Sequence, residues 1–87
     1  MSIKGYEQIE INVRDLLVHR SIHGHTEYHL VLRVYDDAPY RNMNNDEVIP
    51  RRIVTWNSFR GCEQEFHNRT WQVRVKANMT TLHKADK

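Results

Sequence analysis

Residues 14–35, which read RDLLVHRSIHGHTEYHLVLRVY, decide the fold because they carry the pattern of a β-hairpin. In the second half of this stretch, every even-numbered position from 28 to 34 is apolar or aromatic. Alternation with a period of two is typical of a strand that buries one face. Gly24 suits the tip of the hairpin, because glycine adopts positive φ without a steric cost. The stretch therefore predicts two strands joined near Gly24.

Folding the two arms about Gly24 also predicts their register. Leu17 then lies opposite Val31, and His19 lies opposite His29, on one face of the hairpin. The even-numbered apolar residues lie on the other face, which we expect to be buried. The predicted core consists of Ile11, Val13, Leu16, Val18, Leu30, Leu32, Val34, Val54, Trp56, Phe59, Phe66, Trp71, Val73 and Val75.

The remaining segments predict an α+β fold, in which a mostly antiparallel four-stranded sheet begins with a long, bulged hairpin and one short helix precedes the last strand. The alternating apolar residues before Arg14 have odd numbers, whereas those predicted to be buried after Asp15 have even numbers. A bulge near Arg14 and Asp15 adds one residue to the strand and so places both sets on one face. The alternative is a small all-β barrel. In chain order the predicted elements are strands over 8–20 and 26–36, a loop over 37–47, a strand over 51–56, a helix between 57 and 66, and a strand over 71–78.

Length and composition predict a single domain over residues 1–87, with residues 1–7 and 81–87 loosely ordered. The single cysteine, Cys62, excludes an internal disulfide, and we expect it to be a half-buried core residue rather than a nucleophile. No apolar run approaches the ~20 residues that span a bilayer. We therefore expect a soluble, cytoplasmic protein that makes no contact with a membrane.

Charge is distributed unevenly, although the net charge is only +2. Residues 1–50 hold five Lys and Arg against eight Asp and Glu, whereas residues 51–87 hold eight against three. A basic half of this kind is one signal of binding to a polyanion, which makes nucleic acid an alternative partner. The candidate phosphate contacts are Arg51, Arg52, Arg60, Arg69, Arg74 and Lys76.

Four of the six histidines, His19, His23, His25 and His29, lie within eleven residues of one another. Imidazole binds zinc, copper and nickel, so these four are the candidate metal ligands. The hairpin tip is several residues from the pair formed by His19 and His29, and a strand rises about 3.3 Å per residue. One ion cannot reach all four, so we expect no metal site, and a metal- or pH-responsive module stays the third alternative.

No pattern in the sequence predicts catalysis or a cofactor. The sequence contains no glycine-rich phosphate loop and no serine elbow, and a chain of this size leaves little room for a deep pocket. We therefore expect a small non-catalytic binding module that docks on a macromolecule. A protein is the first choice of partner, and such a module can act as an inhibitor or adaptor of a larger machine.

The predicted partner-binding strip is the second face of the hairpin, where apolar, aromatic and arginine side chains alternate with histidines. The helix could instead cover this strip, as could a second copy of the chain in a homodimer. If His19 and His29 oppose each other there, they repel once protonated, which predicts a loss of stability below about pH 7. The residues of the strip are Leu17, His19, His29, Val31, Arg33 and Tyr35.

Overall fold

In the computed structural model, which describes residues 9–85, a five-stranded antiparallel sheet lies against one α-helix. The predicted α+β class and the mostly antiparallel sheet are confirmed, but the sheet has five strands rather than four. Its strands lie in the order β6-β5-β2-β1-β7, and β3 and β4 form a separate two-stranded ladder. The elements are β1 Leu16–Arg20, β2 Thr26–Asp36, β3 Tyr40–Arg41, β4 Glu47–Val48, β5 Arg51–Asn57, β6 Cys62–His67, α1 Asn68–Lys76 and β7 Thr80–His83.

The hairpin formed by β1 and β2 has a register that differs by two residues from the predicted one. Leu17 lies opposite His29, and His19 lies opposite Glu27, so the predicted pairing of His19 with His29 is wrong. The loop spans residues 21–25 and is closed by a 2.9 Å hydrogen bond from the Ser21 N–H to the His25 carbonyl. Gly24 lies in this loop with φ 87°, as expected, but the loop is centred one residue earlier. Because the side-chain period is two, the shift keeps Leu17, His19 and His29 together on one face.

The helix covers the odd-numbered face of this hairpin, so the predicted assignment of buried and exposed faces is wrong. Leu17 and Val31 are buried, whereas the side chain of Leu30 is 42% exposed. Both parities of β1 and β2 carry apolar residues, so alternation alone did not show which face meets the helix. The buried core consists of Ile11, Leu17, Val31, Ile53 and Trp71. Of the predicted core residues, Val13, Leu30, Trp56, Phe59 and Val73 are exposed.

A β-bulge in β2 lies between Val31 and Arg33, where the pairing with β5 shifts by one residue. Beyond the bulge Val34 pairs with Ile53 and packs against the core. Arg33 consequently lies on the opposite face, although it has the same parity as Val31. The bulge therefore changes which residues of β2 face the helix halfway along the strand.

The helix and the last predicted strand occur in the reverse order. Asn57 caps a turn here, because its side-chain oxygen accepts hydrogen bonds from the N–H groups of Phe59 and Arg60. Gly61, with φ 66°, ends this turn after one winding, and the chain returns as β6 instead of continuing as a helix. The helix is α1, where Trp71 is buried and Val75, four residues later, packs against the same core.

Asp15 joins the first described residues to the last ones. Its buried carboxylate accepts hydrogen bonds from the Asn12 N–H at 2.8 Å, the Ala85 N–H at 3.0 Å and the Lys84 ammonium at 2.7 Å. Burial alone would raise its pKa, but these hydrogen bonds outweigh burial and hold the pKa below its ordinary value. The preceding turn, in which Arg14 has φ 77°, replaces the predicted long first strand.

The chain after the helix is more ordered than expected, because Thr80–His83 forms β7 and pairs with β1. The predictions for residues 1–7, and for the last two residues of the tail, lie outside the described residues. The predicted longest loop, 37–47, contains most of a two-stranded arm. At its tip the Asn42 side chain accepts the N–H groups of Asn44 and Asp46. Within residues 9–85, β3 and β4 contact no element except each other.

The assignment of the two sheet faces predicts different costs for truncating two neighbouring leucines. Leu17→Ala removes a fully buried side chain and should lower the free energy of unfolding by about 2–5 kcal/mol. Leu30→Ala, on the exposed face, should cost less than about 1 kcal/mol. Urea unfolding followed by circular dichroism measures both. Equal costs for the two variants would contradict the face assignment.

Candidate functional site

The face of the sheet that the helix leaves uncovered is apolar and aromatic, and we call it the open face. Leu30 of β2 lies directly between Leu16 of β1 and Trp56 of β5. Tyr28, Leu30 and Trp56 are 49%, 42% and 44% exposed. Large exposed side chains that are neighbours on two adjacent strands form a continuous patch, and such patches mark interaction sites. The open face is made of Leu16, Val18, Tyr28, Leu30, Leu32, Arg33, Tyr35, Arg52, Val54 and Trp56.

Ion pairs border the open face on the side of β6. The Arg33 guanidinium lies 3.2 Å from the Glu63 carboxylate. Arg52 lies 3.2 Å from the Asp37 carboxylate and 3.9 Å from that of Glu65. Each arginine of this border therefore has a carboxylate beside it, and with two arginines against three carboxylates the border is slightly acidic.

The predicted partner-binding strip divides between the two faces of the sheet. Leu17, His29 and Val31 are buried beneath the helix, so the expectation that they lie on an exposed face is wrong. His19 lies on the same face as these three and is half-buried. Arg33 and Tyr35 lie on the open face, because the bulge that precedes them in β2 moves the odd-numbered residues to that face. For Leu17, His29 and Val31, the alternative that the helix covers the strip is the correct one.

The six candidate phosphate contacts do not share one surface. Arg52 lies on the open face, whereas Arg74 lies on the helix at the opposite face, with its guanidinium 5.0 Å from the centre of the Trp71 ring. Arg51 pairs with Asp36 at 3.3 Å. Arg60 is in the loop between β5 and β6, and Arg69 and Lys76 belong to the helix. The structure therefore does not gather the basic second half into a single patch.

The four clustered histidines lie in different surroundings. His23 is exposed at the hairpin tip, and His25 stacks on Phe59 with 4.3 Å between ring centres. His19 and His29 lie on the helix-covered face. Within residues 9–85, no group of three or more His, Cys, Asp and Glu side chains is arranged to hold a metal ion. Cys62 is exposed, contrary to the expectation that it is half-buried.

A polar cluster lies at one end of the helix-covered face, around Glu27. The Glu27 carboxylate accepts a 2.9 Å hydrogen bond from the Asn57 amide, and it lies 3.1 Å from His25 Nε2 and 3.4 Å from His29 Nε2. The Asn57 amide also donates to the Gln64 side-chain oxygen at 2.8 Å. Burial would raise the pKa of Glu27, but these partners outweigh burial and lower it. Both oxygens of the Glu27 carboxylate thus have polar partners.

His29 is the most buried ionisable side chain of this cluster, with 2% of its surface exposed. Burial lowers its pKa, the nearby Glu27 carboxylate partly offsets that effect, and the positive charges of His19 and Arg74 add to the lowering. His29 Nδ1 lies 3.0 Å from the Thr55 hydroxyl, so both ring nitrogens have partners. The order hydroxyl–imidazole–carboxylate is that of a catalytic triad. The Thr55 hydroxyl is completely buried, however, so a substrate carbonyl cannot reach it in this structure.

Sequence reasoning missed the exposed apolar side chains of β2 and β5. It placed Leu30 and Trp56 in the core and did not assign Tyr28 to it, and all three lie on the exposed face instead. Polarity in β5 could not have found them, because its small polar residues, Thr55 and Asn57, are the ones that face the helix. A strand with apolar residues at both parities leaves its exposed parity available for a partner.

The lowered pKa of His29 predicts how stability depends on pH. Since the folded protein keeps this imidazole neutral, the unfolded chain binds the proton more readily below its ordinary pKa of about 6.5. Stability should therefore fall as the pH decreases from 7.5 to 5.5, and thermal unfolding at several pH values measures this. His29→Gln should flatten the dependence, whereas His23→Gln, at the exposed tip, should leave it in place. An unchanged dependence in His29→Gln would contradict this interpretation.

The described residues thus contain two candidate surfaces, the open face and the polar cluster around Glu27. Within residues 9–85 no helix has the length and apolar character needed to cross a membrane. The chain matches no protein-family model, no curated protein and no solved structure.

Proposed function

We propose that the protein is a small non-catalytic binding module that docks a partner protein on the open face of its sheet. The observation that carries the proposal is the exposure of Tyr28 and Leu30 on β2 beside Trp56 on the adjacent strand β5. Tryptophan, tyrosine and arginine dominate the energetics of protein–protein contacts, and Arg33 and Tyr35 continue the same face. An inhibitor or adaptor acts through a surface of this kind.

The charges around the open face favour a protein over a nucleic acid. Glu63, Glu65 and Asp37 lie beside the arginines of this face. Phosphates would have to displace these carboxylates or approach them closely, and both changes are unfavourable. The exposed aromatic side chains would suit base stacking, but their acidic border does not suit a phosphate backbone.

The size of the open face indicates the shape of the partner. Three strands at a spacing of ~4.8 Å make a strip about 10 Å wide between the axes of the outer strands. This width accepts one α-helix, whose diameter with side chains is about 10–12 Å. We therefore infer that the occupant is an amphipathic helix of another protein.

The border of the strip indicates the chemistry of that helix. Its apolar stripe would lie over Leu30 and Trp56, which are neighbours in the register of β2 and β5. Glu63 and Glu65 lie along one side, with about half of each side chain exposed. Lysine or arginine on the flank of the helix that faces β6 would complement these carboxylates. Bound in this way, the partner helix would complete a second helical layer on the sheet.

Photo-crosslinking from the open face tests the proposal. A benzophenone amino acid at position 28 should crosslink to a discrete partner in cells of the source organism. Peptide mapping should locate the crosslink in an amphipathic segment with basic residues. Leu30→Glu places a charge in the centre of the apolar strip and should lower the yield at least tenfold, because a desolvated unpaired charge opposes binding.

Met43→Glu, at the fully exposed tip of the arm, is the matched control and should leave the yield unchanged. The proposal fails if Leu30→Glu, shown to be folded by circular dichroism, crosslinks as well as the unaltered protein. Sedimentation equilibrium gives a second outcome, since a dimer that Leu30→Glu dissociates would show that the occupant is a second copy of the chain.

A further inference from the structure

The helix-covered face contains a partly open pocket of about 170 Å³ beside the polar cluster, on the side of the sheet opposite the open face. It lies where the loop after β5, the strand β6 and the helix approach the hairpin of β1 and β2. The side chains around it come from five elements or loops that are distant in sequence, so folding is needed to assemble it. Its lining residues are His19, Glu27, His29, Arg60, Gln64, Phe66 and Arg74.

The charge in this pocket is positive and incompletely neutralised. Within residues 9–85, neither Arg60 nor Arg74 forms an ion pair with a carboxylate. Glu27 is the one acidic residue of the lining, and His25, His29 and Asn57 already engage its oxygens. Two arginines therefore face a shared space without an anion of their own.

His19 adds a hydrogen-bond donor to the same space. Its Nδ1 lies 3.2 Å from the buried Thr80 hydroxyl, which fixes the orientation of the ring. No other described residue forms a hydrogen bond with its Nε2. The edge of Trp71 lies beside the His19 ring, with 6.2 Å between the ring centres, and restricts its rotation. A ring held in this way can present Nε2 to a molecule in the pocket.

We propose that this pocket binds a phosphate-type oxyanion, either free or as the terminal phosphoryl group of a small molecule, between Arg60, Arg74 and His19. Guanidinium groups are the side chains best suited to bidentate contacts with phosphate oxygens. The pocket, at about 170 Å³, has room for a group as small as one phosphate. Gln64 supplies an amide donor at the wall, and Phe66 closes the apolar side of the pocket.

Calorimetric titration tests the proposal with two probes, inorganic phosphate and glycerol 3-phosphate, at pH 6.5 and at constant ionic strength set with sodium chloride. We expect saturable binding of phosphate. Saturation by both probes would identify a phosphoryl group as the ligand, and saturation by inorganic phosphate alone would identify the free ion. Absence of saturation with both probes overturns the proposal.

Variants assign the binding to the pocket. Arg60→Gln, in an exposed loop, should keep the fold and weaken phosphate binding about tenfold or more, because it removes a charge-assisted hydrogen bond. Arg74→Gln should have a similar effect, and circular dichroism shows whether losing the contact with Trp71 disturbs the fold. Arg51→Gln is the matched control, since this exposed arginine pairs with Asp36 outside the pocket.

Proton NMR of the histidine rings provides a readout at the site itself. Phosphate should shift the ring signals of His19, whereas those of His83, on β7 outside the pocket, should stay in place. Leu30→Glu should bind phosphate normally, so failure of the open-face proposal and failure of this one are distinguishable. Equal weakening by Arg60→Gln and Arg51→Gln would mean general charge screening and would overturn the proposed site.

Discussion

The packing of Trp71 against the sheet is the contact on which the rest of the structure depends. Its ring is completely buried and lies edge-on to both His29 and Phe66, with 4.9 Å between ring centres in each case. It belongs to a helix of nine residues, about 13 Å long at 1.5 Å per residue. Five strands at ~4.8 Å spacing extend over roughly 19 Å. One short helix can cover one face of such a sheet and no more, so among residues 9–85 no second helical layer lies on the other face.

The covered face is itself divided between an apolar and a polar part. Leu17, Val31 and Ile53 form the apolar part with Trp71, and Thr55 and Asn57 continue β5 into the polar part. Burying these polar groups is tolerable because most of them form hydrogen bonds with one another, as Asn57 does with Glu27 and Gln64. The polar part of the covered face therefore has the composition of a binding site, although it is buried. The open face has the apolar composition of a core, although it is exposed.

Sequence reasoning located the strands β2 and β5 well, because both are long and rich in β-branched residues. It could not choose the buried face, since LLV in β1 and LVL in β2 are apolar at both parities. The segment WQVRVK alternates like a strand, yet Trp71 and Val75 are also four residues apart and share one face of a helix. β6 was missed because Gln64, which faces inward, meets the polar cluster and carries no apolar signal. The candidate site was therefore placed on the wrong face for Leu17 and Val31 and on the right one for Arg33 and Tyr35.

The arm formed by β3 and β4 has a consequence for the cooperativity of the molecule. Its hydrogen bonds are local, such as that from the Asn42 N–H to the Asp46 carbonyl, and within residues 9–85 its backbone has no close neighbour in the sheet or the helix. A segment held in this way can open and close without exposing Trp71 or any other core residue to water. Its amide hydrogens would then exchange with solvent on their own timescale, while those of β2 and β5 exchange only when the whole domain unfolds. The sheet and the helix would thus unfold as one cooperative unit, and hydrogen exchange in the arm would measure local opening alone.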